Sequence, residues 1–190
     1  MRAVTCLAAA VMLATTSCSG ADRIKDGVAT DEGIAVIADP EGQYRDLLKR
    51  SFLATQSGPV TLGILGLDDG CDVLDSAVDA VQKRNLPQWR ANLVAAYRNN
   101  VPPDLLAEAV QKSPRRARSI LQPHVAAIGN SMKQSSEPLL ESSTVEVLGA
   151  TFAAAGKVDK ASRDMTARQK DLAKIRTSDE ICGVKRWQQQ

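Results

Sequence analysis

The whole chain of 190 residues carries one histidine, His124, which removes every site that needs two imidazoles. Any Ser–His or Cys–His pair would have to take His124 as its base. That residue directly follows Pro123, where a helix is expected to kink, and a structural or surface role suits it better than catalysis. The four cysteines, Cys6, Cys18, Cys71 and Cys182, form no C-x-x-C pair, so dithiol redox chemistry has no motif. They assemble no zinc ligand set with the histidine either. Asp68, Asp69, Asp72, Asp75 and Asp79 are the densest acidic group. A calcium loop needs carboxylates converging in the order D-x-[DN]-x-[DN]-G. Here the order is Asp-Asp-Gly-Cys-Asp, and the later acids run along a helix. Carboxylates opening a helix are favoured by its dipole, by about 0.3–1 kcal/mol each, and that is the expected role. No metal, cofactor or catalytic residue is assigned from these patterns.

A glycosidase needs a carboxylic acid in a cleft, and Glu137, Glu141 and Glu146 are the candidates. Glu141-Ser142 resembles the Glu-Ser of lytic transglycosylases, but the Gly-Leu-Met-Gln segment that accompanies it there is missing. On a helix, Glu146 is rotated from Glu141 by about 140°, so the two are badly placed to share one glycosidic bond. Neither a phosphate-cradling glycine loop nor a G-x-S-x-G elbow is present.

The N-terminus supplies an address. Met1-Arg2, the apolar run Ala3 to Ala14 and the small-residue exit Thr15-Thr16-Ser17 are the three parts of a secretory signal peptide. The run is shorter than the roughly 20 residues that span a bilayer. Residues 1–17 are therefore set aside as a signal peptide. The small residues before Cys18 resemble the lipobox of bacterial lipoproteins, in which the cysteine becomes the lipidated first residue. Leu13 stands five places before it, and Thr15 stands where that family usually has an aliphatic residue. The resemblance implies a lipid anchor at Cys18. Ordinary cleavage after Ser17 or Ala21 is the alternative and leaves a soluble exported protein. Both routes lead to the periplasm or cell envelope.

Export bears on the remaining thiols. With Cys6 in the signal and Cys18 at the start of the mature chain, Cys71 and Cys182 are an isolated pair in an oxidising compartment, where a disulfide is the natural inference. Two buried free thiols are the alternative. The charge balance, 24 basic against 22 acidic residues, lacks the footprint of a nucleic-acid protein. Its distribution is uneven: 12 acids and 5 bases between positions 22 and 79, then 8 bases and 2 acids between 83 and 118. Such asymmetry points to complementary helices or solvated faces, with a charged docking surface as the lesser reading.

The elements that must position these residues read as helices. Residues 18–38, with glycines at 20, 27 and 33, read as a tether or irregular lead-in. Asp39-Pro40 opens the first expected helix, with Asp39 as cap. Tyr44, Leu47, Leu48 and Phe52 follow at helical spacing until Ser57-Gly58-Pro59. Residues 60–67 are ambiguous and read as a buried connector or short helix. A helix carrying Cys71, Leu74, Val78 and Val81 is expected to end at Asn85-Leu86-Pro87, and another carries Trp89, Leu93, Ala96 and Tyr97. Pro102-Pro103 and Ser113-Pro114 open two more, the second running through Val125, Ile128 and Met132 with a break at Pro123. Ser136-Glu137-Pro138 is expected to begin a sixth, with Leu140, Val147, Leu148 and Phe152, stopped by Gly156. The last, from about Asp159, carries Ala161, Met165, Leu172 and Ile175, before a tail with Cys182 and Trp187. With no hairpin recognised, the expectation is all-α: a compact bundle of six or seven short helices, one domain over residues 39–190.

Within it, Leu93-Val94-Ala95-Ala96-Tyr97, Pro103 to Val110, and Met132 make residues 89–134 similar to a group of exported bacterial helical domains of unknown function. The Phe-Tyr-x-Ser segment often found there is replaced by Gln111-Lys112-Ser113-Pro114. The resemblance implies a bundle and no established activity. The leading functional expectation is a non-enzymatic envelope lipoprotein that binds another envelope component, an unidentified envelope protein, through a helical surface. The alternatives are a wall-acting hydrolase using one carboxylate such as Glu141, and a carrier of a small apolar ligand. Convergent polar groups in a cleft would favour the hydrolase, an enclosed apolar cavity the carrier, and an exposed apolar or charged patch the binding module.

Overall fold

A computed structural model of the protein describes residues 23–158 and 165–185. The signal segment, Cys18, Ala161 and Trp187 lie outside these residues. The architecture is an all-α bundle, as expected, with two minimal hairpins in place of any substantial sheet. Chain order is β1 (Ile24–Lys25), β2 (Val28–Ala29), α1 (Asp31–Ala38), α2 (Pro40–Ala54), α3 (Ser57–Leu65) and α4 (Leu67–Asn100), then α5 (Pro103–Gln111) and α6 (Pro114–Leu121). A 3-10 turn (Gln122–His124) leads into α7 (Val125–Gly156), followed by α8 (Met165–Thr177), β3 (Glu180–Ile181) and β4 (Val184–Lys185).

Two of these helices are not short. The expected breaks at Asn85-Leu86-Pro87 and Ser136-Glu137-Pro138 do not occur: α4 runs 34 residues through Pro87, and α7 runs 32 residues through Pro138. Each is about 50 Å long at 1.5 Å per residue. A proline inside a helix removes one backbone bond and crowds the carbonyl four residues back, at about 3 kcal/mol. Both prolines are exposed here, and so are Lys83 and Gln134, whose carbonyls lose their donors. Water can satisfy those carbonyls. On the opposite side, the buried stripe continues past Pro87, from Leu74, Val78 and Val81 to Trp89, Leu93 and Ala96. Burial on both sides of the proline outweighs its cost.

Helices α4 and α7 pack antiparallel, a direction set by their cross-links. Arg84 pairs with Glu146, Asn85 Nδ2 donates to Ser143 Oγ at 2.9 Å, and Asn92 Nδ2 donates to Ser135 O and Ser136 Oγ, each at 3.0 Å. Helix α2 lies across this pair. Its Tyr44 is fully buried, stacks on Trp89 with centroids 4.9 Å apart, and hydrogen-bonds Ser143 through its hydroxyl at 2.6 Å. Leu48 and Phe52 continue that buried face. The opening of α2 is as the sequence suggests, with Asp39 Oδ1 accepting from Gly42 N and Pro40 in the first turn.

The lead-in is not a tether over its described part. Asp26 (φ 52°) and Gly27 (φ 80°) form the two-residue loop of β1–β2, the Asp-Gly hairpin signature that positive φ at both positions requires. Thr30 then caps α1, accepting from Gly33 N, and Ile34 is fully buried. Gly33 permits the close approach: a Cβ there would stand 2.5 Å from Arg23 O. Residues 57–65 are a helix, so Ser57-Gly58-Pro59 opens an element as well as ending one. The short-helix reading of the stretch from Val60 holds through Leu65, with Thr61 and Leu62 fully buried.

The C-terminal tail is likewise structured. Cys182 (φ 50°) and Gly183 (φ 77°) turn β3 into β4, and Ile181 and Val184 are buried. The Cys71–Cys182 disulfide joins this hairpin to the start of α4, across a Cα–Cα distance of 5.1 Å and 111 positions of sequence. Lys49, itself buried, donates to Cys182 O at 2.9 Å and pairs with Asp75. A crosslink closing so long a loop stabilises by about 4–5 kcal/mol in the chain-entropy model. Cys71→Ser/Cys182→Ser should therefore lose about 4 kcal/mol in urea unfolding, and wild type alkylated before lysis should run faster without reductant than with it. Full alkylation of both thiols without reduction would show that the pair is open in the protein made in cells.

Candidate functional site

An open cleft of about 460 Å³ lies between α2 and the C-terminal half of α4 on one side and the N-terminal half of α7 on the other. Its α7 wall is one helical stripe: Val125, Ile128, Gly129, Met132, Lys133, Ser136, Glu137 and Leu140. Steps of three and four residues put all of these on one face. Trp89, Leu93 and Tyr97 of α4 and Leu47 and Gln43 of α2 complete the lining. The surface is chiefly apolar, with polar groups at Gln43, Lys133, Ser136 and Glu137. It stays open in part because Gly129 has no side chain, and a Cβ there would meet nothing within 4 Å.

Trp89 is held flat by its stack on Tyr44, and its Nε1 is buried with no hydrogen-bond partner among the described residues. A donor left so costs about 1–3 kcal/mol. The indole thus offers the cleft apolar surface and no accessible donor. Ser136 is buried and already holds Asn92, which leaves Lys133 and Glu137, both exposed, as the ionic groups of the rim. Burial raises the Tyr97 hydroxyl above its ordinary pKa, so it is a neutral phenol at physiological pH.

The candidates raised by the sequence do not converge here. Glu137 is inside α7 rather than at a helix start, without the dipole stabilisation expected of it. Glu141 is exposed and outside the cleft lining, and Glu146 pairs with Arg84. His124 is half-buried at the end of the 3-10 turn, with no hydrogen bond or ion pair among the described residues. Asp68 and Asp69 do open α4, where its dipole favours them. Asp75 and Asp79 pair instead with Arg45 of α2, Asp75 at 3.2 Å. No group of three or more His, Cys, Asp or Glu able to hold a metal occurs among the described residues. Among the described residues, no helix is long and apolar enough to cross a membrane.

The uneven charge is partly an internal complement. Arg98 pairs with Asp31 at 2.6 Å and donates to Ala29 O at 3.0 Å, and Arg90 reaches Glu32 at 3.4 Å. These contacts fasten α1 to α4. The class defined by fold and site is a disulfide-linked helical bundle with an open apolar cleft. Compared with known proteins, the chain matches no family model, no curated protein and no solved structure.

The raised Tyr97 pKa has a consequence for alkaline stability. The folded state keeps its proton at pH values where the unfolded chain releases it, so the contribution is complete below about pH 10. It is lost as pH rises through the folded value. Urea unfolding of wild type should weaken more steeply above pH 10 than that of Tyr97→Phe, with the two curves parallel below it. Equal alkaline slopes would contradict the assignment.

Proposed function

We propose that this is a non-enzymatic protein of the cell envelope, held there by lipid on Cys18, which binds another envelope component in the cleft between α2, α4 and α7. The observation that carries the reading is the cleft: an open, chiefly apolar surface whose α7 wall is a single stripe of Val125, Ile128, Met132 and Leu140. Apolar surface left open to water is a cost unless something covers it, and sites of this composition take apolar groups oriented by a few polar ones. Lys133 and Glu137 at the rim can orient an occupant. Among the described residues Glu137 is the one carboxylate lining the cleft, which supports a binding role over the paired-carboxylate chemistry of a hydrolase.

A carrier of a small apolar ligand is the second reading, favoured by the volume. About 460 Å³ falls within the range of small-molecule pockets. The membrane address rests on the sequence, through the charged start, apolar run and small-residue exit that resemble a lipoprotein signal.

The cleft is tested by filling it. Gly129→Phe places a ring where a Cβ has open space, and should weaken binding of the apolar fluorophore N-phenyl-1-naphthylamine at least about tenfold. Stability should hold or rise, since a glycine inside a helix costs roughly 0.5–1 kcal/mol relative to alanine. Gly129→Ala should bind like wild type and melt slightly higher. Undiminished probe binding by a folded Gly129→Phe protein would remove the cleft as the binding site.

The anchor is tested separately. Wild type should fractionate with membranes and carry acyl chains on Cys18 by mass, and Cys18→Ser should move to the soluble envelope fraction. A soluble wild-type protein beginning at Asp22 would refute the anchor.

A further inference from the structure

The basic stretch between positions 83 and 118 divides into two parts in three dimensions. Arg84, Arg90 and Arg98 of α4 are each paired with a carboxylate. Lys112, Arg115, Arg116 and Arg118 are exposed and have no ion pair among the described residues. On α6 the 100° step per residue places Arg115, Arg116 and Arg118 on one side and the buried Ala117 and Leu121 on the other. The nearest acid in sequence, exposed Glu108, stands one turn before Lys112. Asp31 and Glu32 of the neighbouring α1 are held by Arg98 and Arg90. The patch is therefore an exposed cationic face.

The start of the described chain lies beside that face. Arg23 Nη1 donates to Val110 O at 3.3 Å, two positions before Lys112, and the Arg23 backbone rests against Gly33. Cys18 stands five positions before Arg23, and at no more than about 3.5 Å per residue the chain between them can reach at most about 18 Å.

We propose that Lys112, Arg115, Arg116 and Arg118 form a second membrane contact, which lays the α6 face of the protein on the headgroups of anionic phospholipids. The proposal rests on the lipid anchor at Cys18, because the short connection is what brings this face to the bilayer. Four exposed cations spread over residues 112–118 favour an extended anionic surface over a discrete phosphate, which would need converging, enclosed donors. Basic residues near a bilayer are each drawn to anionic headgroups, about fivefold in partitioning per charge, which orients an anchored protein on the surface.

The test uses the full exported chain bearing Cys18→Ser, so that acyl chains do not mask the patch. It is sedimented at low salt with phosphatidylglycerol–phosphatidylcholine vesicles and with pure phosphatidylcholine vesicles. Binding should be confined to the anionic vesicles. Adding Arg115→Gln/Arg116→Gln/Arg118→Gln should lower partitioning about a hundredfold, at about fivefold per charge near the surface. These side chains are exposed, so the variant should melt with its parent. Adding Lys170→Gln/Lys174→Gln/Lys185→Gln instead removes the same charge from exposed sites on α8 and β4 and should leave partitioning nearly unchanged. Equal losses from both triples would mean net charge alone acts, and would overturn the patch. Absent binding to anionic vesicles, or equal binding to both compositions, would overturn it too. Acylation of Cys18 is read by mass on the unmutated protein, so the anchor can fail while the patch stands, and the reverse.

Discussion

The antiparallel pairing of α4 and α7 is the constraint on which the other elements depend. Two helices of 34 and 32 residues form a rail far longer than any other element, and both ends of the molecule are built on it. Each contains a proline that local rules would place at a boundary. Exposure of Pro87, Pro138 and the carbonyls they orphan lets water make good the missing bonds, while the buried stripes continue unbroken. The polar links at mid-rail fix the register. Ser143 Oγ takes Asn85 and Tyr44 together, so a slip of either helix would leave buried polar groups unpaired.

At one end of the rail, α3, α8 and the C-terminal hairpin close over the start of α4. Crowding there is tight: a Cβ on Gly63 would stand 2.4 Å from Leu172 Cδ2. Asp171 Oδ2 accepts from Leu67 N, one of the free donors at the start of α4. The disulfide and Lys49 tie the hairpin to both long neighbours of that region, α4 and α2. A two-stranded hairpin is marginal by itself. This one persists because covalent, ionic and apolar contacts all meet at the Cys182 turn.

The other end carries the cleft and the cationic face of α6. There α1, α5, α6 and the N-terminal hairpin gather around the end of α4, and the cleft opens where α7 begins. The cleft and the unpaired cations of α6 are joined in sequence by the 3-10 turn at Gln122–His124. A protein resting on α6 would thus hold the first turns of α7, and with them the cleft, close to the surface it rests on.

By itself the sequence determined the helical class, the cap at Asp39, the faces carried by Tyr44, Trp89 and Met132, and the one thiol pair. All of these follow from local chemistry: a cap answers its own helix, a stripe repeats at 3.6 residues, and two thiols exclude other pairings. The Asp26-Gly27 turn is a local signal too, but strands of only two residues on either side carry no alternation to mark a hairpin. The extent of α4 and α7 was not legible. Whether a proline ends a helix depends on which side of it faces water, and that is settled by the partner helix. The cleft was visible only as the spacing of Val125, Ile128 and Met132, which reads equally as core. Which cations stay unpaired was decided by distance across the fold, since Arg98 and Arg115 are the same residue type and differ only in what lies opposite them. Tertiary structure decided these matters because each compares two surfaces, and a sequence presents them one at a time.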